Sequence, residues 1–253
     1  MVNSRKIYHR NSNRVVSLSR ALSKLGYCSR TQADRIIQSG NVSVNGKKIV
    51  QSSFRVDPHG DDISVDGKKI RKNKTFRYFL FHKPAGIITT RNDERGRQTV
   101  YDFLQPIQSR YSSHFFPVGR LDKESSGALL ITNDTQFGEK ISNPESHISK
   151  TYCVTINGTL NDDDIRLFRA GIPLKSGYTT QPAAIEKLSE PESAVTYQVI
   201  ISEGKNRQIR NMFEQLGHPV LSLHRTAVGN IFLGNLAAGT FRMLTDSEIS
   251  EIL

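Results

Sequence analysis

The chain has 253 residues, 36% hydrophobic and 23% charged, a globular composition rather than a disordered or fibrous one. Lys and Arg number 35 against 24 Asp and Glu, a formal charge of +11, so a polyanion is the expected partner, nucleic acid ahead of an anionic membrane surface. No apolar run approaches the roughly 18 residues needed to span a bilayer, and two lone thiols, Cys28 and Cys153, make neither a disulfide framework nor a four-ligand zinc site. The seven histidines show no paired spacing, so no protein-built metal site is expected and a reducing cytosol fits. The opening stretch, MVNSRKIYHRNSNR, is basic with no apolar core after it. It reads as a solvated arm within reach of RNA, not as a secretory signal.

Along the chain, Leu18, Ala21, Leu22 and Leu25 fall at helical spacing and Gly26 ends that helix. Ser29 and Gln32 have capping-box spacing for a second helix whose apolar face is Ala33, Ile36 and Ile37, with Gly40 as its C-terminal cap. VSVNGKKI (42–49) reads as a hairpin turning at Asn45-Gly46, and ISVDGKKI (63–70) nearly repeats it at Asp66-Gly67. Two copies are too few for a solenoid, and shared hairpin chemistry accounts for them. Arg20, Lys24, Arg30, Arg35, Lys47 and Lys48 make this block basic. RKNKTFR (71–77) reads as a basic linker.

From Tyr78 the pattern changes. YFLFHKPAG reads as a buried strand ending in a Lys-Pro-Ala-Gly turn. Strands are expected near 127–132, 151–157, 196–202 and 241–245, and helices at 135–142, 161–170 and 206–217. The last helix has a core face of Ile209, Met212, Phe213 and Leu216 and carries Lys205, Arg207 and Arg210 in its N-terminal part. Strands separated by helices and irregular loops predict an α+β or mixed-sheet domain of about 175 residues.

Three stretches carry candidate chemistry. In GRLDKESSG, Gly119 and Gly127 bracket a tight loop that presents Asp122 beside the apolar run 128–131; a lone Asp there is ordinarily a cap or turn residue. In KTYCVTING, Tyr152 lies in an alternating strand, where a packed core tyrosine is the ordinary reading. In EGKNRQIRNMF, the basic residues would ordinarily be a solvated helix end.

Taken together and in order, with KPAG ahead of them, GRLDKESSG, KTY and GKNRQIR resemble the motif series of the pseudouridine synthases. SRTQADRIIQSGNVSVNGKKI resembles the S4-type RNA-binding domain, an arrangement similar to the bacterial rRNA-modifying branch of that family. The resemblance implies a small S4-like domain over 15–72 and a mixed, largely antiparallel catalytic domain over 76–253. It implies that Asp122 is the catalytic carboxylate, Tyr152 the tyrosine that stacks on a flipped uracil, and Arg210 the cation that holds Asp122 ionised by a two-pronged pairing. Arg120 would enter the RNA where the target base leaves the stack, with Lys205, Arg207 and the N-terminal Arg20, Arg30, Arg35, Lys47 and Lys48 contacting RNA. Lys83 and Pro84 would shape one wall of the cleft. The implied reaction is an isomerisation that needs no cofactor and no metal, in a cytoplasmic monomer acting on ribosomal RNA. GKNRQIR and HRTAVGNIFLGNL look more like the large-subunit (23S) enzymes than the small-subunit (16S) one. The rival readings are a catalytically inert S4-domain assembly factor and a carboxylate-based glycosidase or nucleoside hydrolase, which would need an acid partner about 5–10 Å from Asp122.

Overall fold

The computed structural model describes residues 15–70, 75–91, 93–111, 113–189 and 194–253. The basic arm 1–14 and the linker residues 71–74 lie outside the described residues. The chain divides into two compact units. One holds the described residues through Phe76 together with Tyr111–His114 and Asn133–Thr135; the other holds Arg77–Arg110, Phe115–Thr132 and Gln136–Leu253.

In the first unit, strand β1 (Val16–Ser17) leads into helix α1 (Leu18–Lys24), followed by α2 (Arg30–Gln38). Both helices begin on serine caps: Ser17 accepts from the Arg20 N–H, and Ser29 and Gln32 form the expected reciprocal box. Each satisfied cap contributes about 1 kcal/mol. Two hairpins follow, β2 (Val42–Val44) with β3 (Lys47–Ile49), then, after β4 (Arg55–Val56), β5 (Ile63–Val65) with β6 (Lys68–Lys69). Their turns place Asn45 and Asp66 at φ 50 and 48°, each followed by a glycine at positive φ, the geometry that Asn-Gly and Asp-Gly favour. The hairpins join through β2 and β5 into a four-stranded sheet ordered β3-β2-β5-β6. The alternating valines and isoleucines of that sheet bury one face against Leu18, Ala21, Leu22, Ala33 and Ile37.

In the second unit the chain runs β7 (Tyr78–Lys83), α3 (Val100–Tyr111), β8 (Phe116–Val118), β9 (Ser126–Thr132), α4 (Thr135–Ser142), β10 (Lys150–Ile156), α5 (Asp162–Ala170), β11 (Ala184–Ser189), β12 (Val195–Ile201), α6 (Gln208–Gln215), β13 (Val220–Val228), β14 (Ile231–Phe232), β15 (Phe241–Met243) and α7 (Asp246–Ser250). Its sheet is ordered β11-β12-β10-β13-β9-β7-β15, with β14 on β13 and β8 on β9. Every pairing is antiparallel except β9 with β13. The mixed, largely antiparallel expectation therefore holds. The core gathers Leu80, Ala128, Leu130, Phe137 and Val228, with separate aromatic contacts of Phe81 with Phe103 and Phe241, and of Phe213 with Phe168 and Tyr197.

The sequence reading named neither α3, β8, β11, β13, β14 nor α7, and for two of these the physical reason is identifiable. Helix α3 contains Pro106, which removes a backbone donor and disguises the helical run; its start is held by Thr99 and Asp102, whose carboxylate accepts from the Thr99 N–H. Strand β13 places His224 and Arg225 in mid-strand, and its register slips by one residue against β10 between Thr151 and Tyr152, so alternation fails there. The helix expected over 206–217 starts at Gln208 instead. Arg207 is its N-cap in a left-handed conformation, so Lys205 and Arg207 precede the helix rather than lying within it.

The parallel contact depends on Gly127, which faces Arg225 across β9 and β13 at φ 108°. A Cβ at this position would lie 2.1 Å from the Arg225 carbonyl oxygen. Gly127→Ala must therefore push two core strands apart and is expected to cost about 3 kcal/mol or more. A lowered urea midpoint with unchanged slope measures it; an unchanged midpoint would contradict this account of the junction.

Candidate active site

Asp122 sits on the connection between β8 and β9. Gly119, at φ 74°, turns the chain out of β8, and the Ser125 N–H donates to the Asp122 carbonyl at 3.1 Å to close a turn. The turn is anchored from below by two neighbouring segments. The Lys83 ammonium is fully buried and donates to the carbonyls of Ser125 at 2.7 Å, Pro84 at 3.0 Å and Lys123 at 3.4 Å. The Gly86 N–H donates to the same Lys123 carbonyl at 2.7 Å. Thr89 Oγ1 donates to the Leu121 carbonyl at 2.8 Å and faces the Leu121 N–H at 3.3 Å. Burial pushes Lys83 down to about 8, with Asp122 and Glu124 pulling the other way. Contrary to expectation, neither Lys83 nor Pro84 lines the cleft; Lys83 instead spends its three donors on the backbone around Asp122.

The Asp122 side chain is partly exposed. The cation within 4 Å of it, among the described residues, is Arg207, whose Nη1 lies 3.9 Å from Asp122 Oδ2 and 3.6 Å from Glu124 Oε2. Both separations exceed the 2.7–2.9 Å of charge-assisted hydrogen bonds, so the attraction is coulombic and leaves the carboxylate unlocked. Arg207 reaches this position from φ 48°, ψ 29°, a left-handed conformation that costs a non-glycine residue about 1–2 kcal/mol.

The expected two-pronged pairing of Arg210 with Asp122 is not formed. Arg210 lies inside the first turn of α6 and sends Nη1 to the Val220 carbonyl at 3.2 Å, while its buried Nε has no hydrogen-bond partner. Burial and the neighbouring Arg207 push its guanidinium below the ordinary value, and Asp122 and Glu124 oppose them. Arg210 therefore feels Asp122 through charge, not contact.

Tyr152 lies in β10, 8% exposed, and rests beside the buried guanidinium of Arg225. Arg225 Nε donates to the Ala128 carbonyl at 2.6 Å, Nη1 approaches the Tyr152 hydroxyl at 3.5 Å, and the guanidinium carbon is 5.9 Å from the ring centre. The sequence reading missed Arg225 because it falls in the unrecognised strand β13; apolar Leu223 and Ala227 two residues to either side, on the same face of a strand, were the available signal.

Asp122, Tyr152, Arg120, Lys205 and Arg207 line one cleft of about 570 Å³, together with Arg225, Tyr178, Glu203 and Gln208. Arg210 is not among its lining residues. Arg120, Lys205 and Arg207 are exposed, as cations that meet a polyanion must be. In the other unit, Arg30, Arg35, Lys47 and Lys48 are exposed and Arg20 is half-buried. Among the described residues no group of three or more His, Cys, Asp or Glu side chains is arranged to hold a metal ion, and no helix is long and apolar enough to cross a membrane. A carboxylate facing exposed cations, in one cleft with an aromatic ring braced by a buried guanidinium, suits a flat, uncharged ring attached to an anionic chain.

Comparisons with known proteins give the family. The RNA pseudouridylate synthase family pattern matches residues 77–215, and the S4 domain pattern matches residues 17–63. The chain is 37% identical to the ribosomal large subunit pseudouridine synthase B of Bacillus subtilis (strain 168), over 93% of this chain and 94% of the relative. It is 35% identical to the dual-specificity RNA pseudouridine synthase RluF of Escherichia coli O6:H1, over 94% of this chain and 78% of the relative. A crystal structure of a pseudouridylate synthase superposes with a TM-score of 0.68 at 29% identity, covering 94% of this chain and all of the other. On the family match, on relatives similar over nearly the whole chain and on the shared fold, the chain belongs to the RNA pseudouridylate synthase family, as an isomerase with an S4 domain ahead of the catalytic fold.

Proposed function

We propose that the protein converts a uridine of ribosomal RNA, in the large subunit, to pseudouridine, with Asp122 as the catalytic carboxylate. The observation that carries this reading is Asp122 itself: a carboxylate on a loop fixed by Lys83, Gly86 and Thr89, open to a cleft and facing Arg207. The likeness to a large-subunit synthase over nearly the whole chain supports the choice of RNA. The reaction breaks the bond from the ribose anomeric carbon to N1, turns the base and joins the same carbon to C5. The C5 proton leaves and N1 regains one, so no redox partner or metal enters. Asp122 acts as the nucleophile, on sugar or base. Arg207 and Arg210 stabilise its charge, Tyr152 stacks on the extruded uracil, and Arg120 fills the vacated place in the stack. Residues 15–72 form the RNA-binding domain and 76–253 the catalytic one. Arg20, Arg30, Arg35, Lys47 and Lys48 supply phosphate contacts in the former, and Lys205 supplies one in the latter. The enzyme works as a monomer in the cytoplasm.

Asp122→Asn is expected to slow tritium release from 5-tritiated uridine in rRNA by at least about a thousandfold, with RNA affinity within about twofold of the parent. Near-parental turnover would remove Asp122 from the chemistry, and loss of binding alone would recast it as a structural turn residue. Mapping pseudouridines on both rRNAs from cells with and without the protein identifies the target subunit.

The two cations make separable predictions. Arg210→Lys keeps charge but shortens the reach and is expected to retain part of the single-turnover rate, while Arg210→Met retains almost none. Because Arg207 is the nearer group, Arg207→Ala should lower the rate about tenfold or more. A parental rate in Arg210→Met with a tenfold loss in Arg207→Ala would assign the electrostatic role to Arg207 alone.

Lys47 and Lys48 are exposed on an edge strand of the first unit. If each meets one phosphate, the double substitution to Ala lowers the slope of log affinity against log salt by about 1.4–1.8. The rate on bound RNA should stay unchanged. An unaltered slope would show that this edge does not touch RNA.

A further inference from the structure

Beside the cleft lies a buried carboxylate that the reaction described above does not use. Glu203 follows β12 and is 6% exposed, yet its two oxygens accept from three donors. Oε2 accepts from the Tyr178 hydroxyl. Oε1 accepts from the Gln181 N–H at 2.8 Å and from Gln208 Nε2 at 2.5 Å. Gln208 is also buried, and its other side-chain atom, Oε1, accepts from the Lys205 N–H at 2.9 Å. The Gln208 side chain therefore closes a ring over residues 203–208. It bridges the carboxylate at one end of the segment and the backbone in its middle.

This ring encloses the residue that most needs enforcing. Arg207 holds a left-handed conformation with no side-chain cap of its own, and such a conformation persists only where the surroundings over-determine it. On one side of Arg207 the Gln208 N–H donates to the Lys205 carbonyl at 3.2 Å. On the other, Asn211 donates to the carbonyls of Arg207 and Asn206 at 2.9 and 3.3 Å. Through Tyr178 and Gln181 the same carboxylate ties the segment to the loop after α5, where the Lys205 ammonium also sits 5.0 Å above the Tyr178 ring. Removing the Glu203 acceptor leaves three donors without their partner, two of them on side chains that can then turn away.

We infer that Glu203, acting through Gln208, is a positioning residue that holds Arg207 in its left-handed conformation and so aims its guanidinium at Asp122. The inference rests on the reading of Asp122 as the catalytic carboxylate. Glu203 touches neither substrate nor reacting atoms. It acts by fixing where a cation stands, which the low tolerance of electrostatic stabilisation for misplacement makes consequential. The Tyr178 hydroxyl, held above its ordinary value by the hydrogen bond to Glu203, is the outermost of the three supports.

A double-mutant cycle on the full-length protein tests this. The substrates are full-length large- and small-subunit rRNA transcripts carrying 5-tritiated uridine. Glu203→Gln keeps the side-chain shape but replaces an acceptor oxygen by a donor. It is expected to lower the single-turnover rate about tenfold with affinity for the transcript within about twofold. In an Arg207→Ala background the same substitution should change the rate by less than about twofold, because the group it places is already gone. Tyr178→Phe removes one support, keeps the ring under Lys205, and is expected to cost about threefold, an effect that also vanishes without Arg207. It serves as the test if Glu203→Gln does not fold. Equal losses in both backgrounds would overturn the inference, since Glu203 would then act independently of Arg207. So would an undiminished rate, or a loss confined to affinity. Asp122→Asn is run alongside: turnover in that variant defeats the reading of Asp122, whereas a dead Asp122→Asn with an additive cycle defeats only the role of Glu203.

Discussion

One backbone contact organises the catalytic unit: the parallel meeting of β9 and β13 within a sheet that is otherwise antiparallel. It joins β9, which continues from the Asp122 loop, to β13, which runs beside the Tyr152 strand. Arg225 crosses the seam, bonding Ala128 on β9 and approaching Tyr152 on β10. The approach is close enough that position 127 admits no side chain. Aromatic ring and buried guanidinium thus share one piece of sheet, and the carboxylate stands on the loop that leads into it, pinned there by Lys83, Gly86 and Thr89.

Charge burial follows the same arrangement. Lys83 and Arg225 are both inside, and each spends donors on backbone carbonyls rather than on a carboxylate. A carbonyl acceptor satisfies a buried cation without neutralising it. The positive potential beneath Asp122 and Tyr152 therefore survives, and the carboxylate sits within it without being captured by a short ion pair. Glu203 is the mirror case, a buried anion satisfied by neutral donors.

Much of this was legible in the sequence, for identifiable reasons. The cap at Ser29 and the Asn45-Gly46 and Asp66-Gly67 turns are local devices, written in adjacent residues. Helices α4 and α5 show a helical apolar face, strands β10 and β12 alternate, and β7 and β9 are short, nearly continuous apolar runs. Strand β13 shows neither strand pattern, because a register slip and two polar residues interrupt it, so Arg225 stayed hidden. The relation of Arg207 and Arg210 to Asp122 was likewise out of reach. It turns on a single backbone angle at the start of α6, and a non-glycine residue at positive φ leaves no compositional trace. Motif spacing pointed to Arg210 as the partner of Asp122, whereas, among the described residues, the cation within 4 Å of that carboxylate is Arg207, three positions earlier.

The twin hairpins of the first unit carry a consequence for colloidal behaviour. Because β2 and β5 pair at the centre, the sheet ends on β3 and β6, strands of three and two residues. Open strand edges are templates for pairing with another chain, and short, lysine-laden strands blunt them. Here both edges carry a Lys-Lys pair, 47–48 on one and 68–69 on the other, and all four side chains are exposed. Adding a strand from a second molecule at either edge would bring like charges together and cost desolvation of ammonium groups. A positively charged enzyme that waits unliganded in solution thus resists aggregation at its own sheet margins, with protection that weakens only as the lysines are neutralised by a polyanion.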